Sequence, residues 1–200
     1  MNIIFDLGGV LMMHNMQGCI QKFISLMGEE NMQQVLGLCP NGEGCTDSLM
    51  EKFECGLVSK QEFVSTLLQS SRPGTTEADV VDAWVTMHAG IPDEYWSFLN
   101  NLKAEGHHLL VLSNNNAIHY QDILNHYDMS CFDRIFLSHE IHSKKPERKI
   151  YEVVDEYLTQ QGWKNNRTIY IDDIAENRQV GEQFGWETAG NIHFLQEKFA

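Results

Sequence analysis

Three short apolar runs constrain this chain most, and each ends on polar residues: "NIIFDLGG" (2–9), "HLLVLSNNN" (108–116) and "TIYIDD" (168–173). Runs this short, built from Ile, Leu and Val and apolar on both faces, fit strands covered on both sides, as in a parallel sheet. A fourth run, "RIFLSHE" (134–140), is shorter. Helical patterns alternate with them. Residues 92–106 have Pro near their start, acids in the first turn and Gly at the end, and 146–162 and 175–185 repeat the design. Strand alternating with helix predicts an α/β fold with a doubly wound parallel sheet.

The first and second strands are separated by a long stretch with little strand character. Helices are expected there over 17–28, 58–71 and 76–88. Ser59 and Glu62 form an S-x-x-E capping box, and Thr76 is a suitable N-cap. The stretch is too long for a crossover connection, so it reads as an inserted helical subdomain.

With 42% hydrophobic and 21% charged residues over 200 positions, the chain can bury a substantial core. Its formal net charge of −14 argues against nucleic acid and anionic membranes as partners. It leaves room for a local anion site, because 14 basic residues remain. No apolar run reaches membrane-spanning length and no signal peptide is evident, so a cytoplasmic location is expected. The five cysteines are odd in number and lack C-x-x-C spacing, which argues against a disulfide framework. Cys39 and Cys45 bracket "CPNGEGC" as a weak metal-chelating alternative.

In a parallel α/β sheet, ligands bind beyond the carboxyl ends of the strands. That edge would receive Asp6 from the first run, Ser113 and Asn114 from the second, and Asp172 and Asp173 from the third. Three carboxylates drawn together repel one another and call for a cation. Oxygen-only ligands suit a hard ion such as Mg²⁺. A carboxylate beside such an ion can attack a phosphoryl group to give an acyl phosphate, which water then hydrolyses. Gly8 and Gly9 let the backbone approach the transferring group with exposed N–H groups. Ser113 could donate a further hydrogen bond. "SKKPERK" (143–149) offers Lys144 and Lys145 to complete the charge balance.

Asp6 in "FDLGGVL", Ser113-Asn114 in "VLSNNN", Lys145 in "KKPE" and Asp172-Asp173 in "YIDDIAEN" together resemble the four ordered motifs of the haloacid dehalogenase-like superfamily. The segment "ECGLVSKQEF" (54–63) is similar to a cap pattern of the subgroup that includes bacterial α-D-glucose-1-phosphate phosphatase. The resemblance implies a Rossmann-like core of residues 1–14 and 91–200, with a helical cap at 15–90 over the active site. It implies Asp6 as nucleophile and Mg²⁺ ligand, joined by the Gly8 carbonyl and Asp173, with Asp172 a direct or water-mediated partner. Ser113 would bind the phosphoryl group, aided by Gly8 and Gly9, with Asn114 shaping the turn. Lys145 would neutralise Asp6 and the phosphate, and Asn177 would brace the last loop. The partner would be a small phosphate ester.

One departure stands out. Phosphatases of this superfamily mostly carry a second Asp two residues after the nucleophile, where it protonates the leaving group; here that position is Gly8. Acidic leaving groups depend least on such help. His14 is close enough in sequence to be a substitute. Two rival readings follow: a metal-independent 2-haloacid dehalogenase, whose last motif would be less acidic than Asp172-Asp173, and a catalytically silent phospho-ligand-binding protein. "HEIH" (139–142) lacks H-E-x-x-H geometry and reads as loop histidines. His107 and His108 read as structural, and Trp84, Trp96 and Trp163 as helix packing. In the inserted segment, Met50, Phe53 and Cys55 are candidates to face a substrate.

Overall fold

The structure is a computed structural model describing residues 1–37 and 48–199; the Cys39/Cys45 pair lies outside the described residues. The chain begins with β1 (Asn2–Phe5) and β2 (Met13–His14), then α1 (Met16–Met27), α2 (Glu29–Leu36), α3 (Leu49–Glu54), α4 (Lys60–Gln69) and α5 (Glu77–Val85). It continues through β3 (His88–Gly90), α6 (Asp93–Ala104), β4 (His108–Ser113), α7 (Ala117–His126), β5 (Arg134–Leu137) and α8 (Ser138–Ile141). The last elements are α9 (Arg148–Gln160), β6 (Thr168–Ile171), α10 (Ala175–Gln183), β7 (Glu187–Ala189) and α11 (His193–Lys198).

Five strands form one sheet in the order β5-β4-β1-β6-β7, with every pairing parallel. β1 sits centrally, with Phe5 opposite Val111 on one side and Ile171 on the other. Because side chains alternate along a strand, Ile3 and Phe5 join Leu109, Val111, Ile169 and Ile171 in one core. Ile4 faces the other way and packs with Leu110, Leu112 and Tyr170. The first face is covered by Leu99 and Leu102 of α6 and Leu195 of α11. The second is covered by Ile150, Tyr151, Val154 and Leu158 of α9. This two-sided burial explains why the three runs read as uniformly apolar.

The polar tail of each run lies at or beyond the carboxyl end of its strand. β1 stops at Phe5, β4 at Ser113 and β6 at Ile171. The helices of the inserted stretch share a second core, in which Phe23, Phe53, Phe63 and Trp84 are buried together with Ile118 of α7. Ser59 and Glu62 make the expected capping box, and Thr76 caps α5 with Asp79.

Several boundaries differ from the sequence reading. The helix expected over 76–88 ends at Val85, because His88–Gly90 instead pair antiparallel with Met13–His14 as a short ribbon. The run 134–140 leaves the sheet after Leu137 and turns into α8, so His139 is helical and His142 is a left-handed cap with φ 54°. Trp84 and Trp96 are helical as expected, whereas Trp163 follows α9 and stacks on His108. Among the described residues, no helix is long and apolar enough to cross a membrane.

Candidate active site

The carboxyl edge of the sheet opens into a cavity of about 260 Å³ lined by Asp6, Gly8, Ser113, Asn114, Lys145 and Asp173, among others. Asp6 leaves β1 with its N–H bonded to the Ile171 carbonyl, and its Oδ1 accepts from the Leu7 N–H at 2.7 Å. The loop then closes on itself: Met12 N–H donates to the Leu7 carbonyl and Gly9 N–H to the Met12 carbonyl. Gly9 has φ +72°, and a Cβ there would stand 2.4 Å from Asp173 Oδ2. Glycine is therefore required twice over, for its conformation and for the close approach of the acid.

Lys145 is the electrostatic centre. Its side chain is buried, with Nζ 2.9 Å from Asp6 Oδ2 and 2.6 Å from Asp172 Oδ2. Its backbone is clamped by Asn114, whose Oδ1 accepts from the Lys145 N–H at 2.7 Å and whose Nδ2 donates to the Lys145 carbonyl at 3.0 Å. Asn114 therefore spends its amide on placing the lysine. The neighbouring Ser113 hydroxyl makes only a long 3.4 Å contact, to the Asn114 carbonyl, leaving it available to a ligand. Lys144, by contrast, pairs with Glu51 of α3.

The two consecutive acids have different surroundings. Asp172 is fully buried, and its oxygens accept from Lys145, Tyr170 Oη, Asn177 Nδ2 and the Ile174 N–H. A carboxylate offers about four lone-pair sites, and these bonds fill them. Burial pushes the Asp172 carboxyl up, but Lys145 and the hydrogen bonds from Tyr170 and Asn177 outweigh it and hold it below the ordinary value. Asp173 is exposed, facing Gly9. Asp6 is pushed up to about 6 by burial, against the opposing pull of Lys145 and with the Asp172 charge adding to the rise. One oxygen from each of Asp6, Asp172 and Asp173 lies within 4.8 Å of the others. An all-oxygen set of this kind fits a hard divalent cation, which would favour the charged form of Asp6.

Of the opposite wall, only His14 was legible in the sequence; His88 and His119 were not. His14 and His88 are cross-strand partners on the β2–β3 ribbon, and both line the cavity with His119 of α7. His88 Nδ1 is 2.9 Å from Asp122 Oδ2, and its ring lies 4.4 Å from that of His119. His119 Nε2 meets the Trp84 carbonyl at 2.9 Å, so it carries the hydrogen; Nδ1 then accepts from Asn116 Nδ2. Burial and nearby His88 push His119 down to about 3. Desolvation at the cavity wall and the nearby His88 also lower His14, which remains an exposed residue.

Of the inserted helices, Glu54 reaches the cavity, whereas Phe53 is buried in the helical core and neither Met50 nor Cys55 lines the cavity. Burial pushes the Glu54 carboxyl up to about 7. Two contacts dock the end of α3 on the sheet domain: Ser138 Oγ donates to the Glu54 carbonyl, and His142 Nδ1 to the Cys55 carbonyl. The "HEIH" histidines thus hold main-chain carbonyls, since His139 Nδ1 likewise meets the Asn115 carbonyl.

A family model described as haloacid dehalogenase-like hydrolase matches residues 86–190, more than half of the chain, and the chain belongs to that family. It is 23% identical to the D-ribitol-5-phosphate phosphatase of Bacteroides thetaiotaomicron over 94% of this chain and 89% of the relative. Its fold superposes on a haloacid dehalogenase family enzyme of the same bacterium, in complex with magnesium and inorganic phosphate, with TM-score 0.79 and 26% identity over 94% of this chain and 92% of the other. A haloacid dehalogenase-like hydrolase of Porphyromonas gingivalis gives TM-score 0.76 at 26% identity, over 94% and 89%.

Proposed function

We propose that this hydrolase is a Mg²⁺-dependent phosphatase acting on a small polyol or sugar phosphate. The observation that carries the proposal is the grouping of three carboxylates within 4.8 Å against a single buried lysine. One ammonium cannot balance three acids, and a metal-free dehalogenase pocket would have no use for the excess negative charge. The Mg²⁺ would be held by Asp6, the Gly8 carbonyl and Asp173, with Asp172, its lone pairs already taken, acting indirectly through Lys145 and the loop. When bound, the ion supplies positive charge to the phosphoryl oxygens.

Asp6 attacks phosphorus, the ester oxygen departs, and water hydrolyses the resulting aspartyl phosphate. Lys145 holds Asp6 in place and offsets negative charge as it builds up, while the Ser113 hydroxyl and the Gly8 N–H bind the phosphoryl oxygens; the Gly9 N–H, expected to join them, is spent on the Met12 carbonyl. Residues 1–14 and 91–200 form the catalytic core, and residues 15–90 act as the cap, presenting Glu54 to the substrate's hydroxyl groups. The small cavity and the named activity of the ribitol phosphate phosphatase both support a short polyhydroxy ester, a class that also includes the glucose-1-phosphate of the resembled subgroup.

The test is phosphate release from ribitol-5-phosphate, α-glucose-1-phosphate and an aryl phosphate, with Mg²⁺ and with chelator. Release that requires Mg²⁺ is the expected result. Release of halide from 2-haloacids, indifferent to chelator, would favour the dehalogenase. Mg²⁺ binding without turnover of any ester would favour the silent binder that Gly8 makes conceivable.

A further inference from the structure

Breaking a phosphate ester leaves electrons on the departing oxygen, and an alkyl alkoxide is a poor leaving group unless a hydrogen-bond donor meets it. Most donors that line the cavity are already committed. Lys145 is bonded to Asp6 and Asp172, Asn114 to the Lys145 backbone, and Asn177 to Asp172. Both ring nitrogens of His119 are occupied, and His88 is anchored by Asp122. His14 makes no side-chain hydrogen bond among the described residues, and it borders the cavity beside Asp6 and Gly8.

Its position is specific. A Cβ built on Gly8 would lie 2.5 Å from His14 Nε2 and 2.7 Å from Cε1. The imidazole therefore occupies the space into which any side chain at residue 8 would project, two residues from the carboxylate of Asp6. The β2–β3 ribbon holds it there, pairing His14 with His88 across the strands.

We propose that His14 is the hydrogen-bond donor to the departing ester oxygen, taking the place of the side chain absent at Gly8; this rests on the phosphatase reading. Asp6 forms a bond to phosphorus, the phosphorus–ester oxygen bond breaks, and its electron pair stays on the ester oxygen, where His14 Nε2–H meets it. That oxygen takes its proton from solvent, and the water that later opens the aspartyl phosphate restores it. His14 thereby sets the range of esters turned over.

The experiment compares kcat/KM for an alkyl phosphate and for p-nitrophenyl phosphate, whose leaving group needs no donor. His14→Ala is expected to lower the alkyl rate about 10²-fold and the aryl rate only slightly. His14→Gln, which keeps an N–H on the side chain, retains most of the alkyl rate. The double variant Gly8→Asp/His14→Ala regains alkyl turnover, since removing the imidazole makes room for the new carboxyl. Equal loss on both esters, no loss on either, or the alkyl-selective loss arising from His88→Asn instead would overturn the proposal. Wild-type protein that releases phosphate from neither ester in the presence of Mg²⁺ would overturn the phosphatase reading itself, a result distinct from all of these.

Discussion

Lys145 and the two acids it touches form a buried unit in which each member is stable only while the others are present. Removing the ammonium would strand the fully buried Asp172 carboxylate, and breaking such a pair costs about 3–5 kcal/mol. Lys145→Met is therefore expected to lose about that much stability in urea denaturation, together with its activity. The two adjacent aspartates should part company under substitution. Asp172→Asn disturbs the bonds to Lys145, Tyr170 and Asn177, so it should lower stability by about 1–3 kcal/mol. Asp173→Asn, exposed, should leave denaturation nearly unchanged but weaken Mg²⁺ binding, as titration calorimetry would show. Asp6, Ser113, Asp172 and Asp173 were legible as candidates because each stands at the end of an apolar run whose length and flanking turn residues favour a buried strand. The Asn114 clamp on Lys145 was not, because it joins residues 31 apart through two backbone groups that carry no side-chain signal.

At the level of elements, the decisive piece is the smallest. The β2–β3 ribbon has only two and three residues, too few for a periodic pattern, yet it brings His14 and His88 to the cavity wall. For the same reason the sequence suggested a helix running through His88. The five-stranded sheet and its covering helices were legible because burial on both faces leaves continuous apolar runs. The contact between α5 and α7 has a pH signature. His119 stays neutral in the folded state down to about pH 3, whereas an unfolded histidine takes up a proton near 6.5. Between those values the unfolded state binds more protons, so stability present above pH 6.5 is lost as pH falls. In His119→Gln the slope of unfolding free energy across that window should be shallower by up to about 1.4 kcal/mol per pH unit. Gly56 tests the docking of α3: it has φ +65°, and a Cβ would stand 2.1 Å from the His139 carbonyl oxygen. Gly56→Ala is expected to loosen that contact, seen as faster amide exchange in α3 with α9 unchanged.

As a whole, the molecule sets a five-stranded sheet, whose edge carries the carboxylates, beside the helices α1–α5, of which Glu54 on α3 reaches the cavity. The sheet delivers the carboxylates to one edge, while Glu54, His14 and His88 line the wall that faces them. A cation bound at the carboxylates of the folded chain should raise the melting temperature with the logarithm of its concentration above Kd, and this rise should be smaller in Asp173→Asn. The most direct test of the account is acid quenching during turnover with Mg²⁺ and a phosphate ester, followed by mass spectrometry of the peptide that contains Asp6. The account predicts a hydroxylamine-sensitive phosphoryl adduct on Asp6, absent with chelator and absent in Asp6→Asn, which also releases no phosphate. Sustained phosphate release from Asp6→Asn, with no adduct on the wild-type peptide, would contradict it.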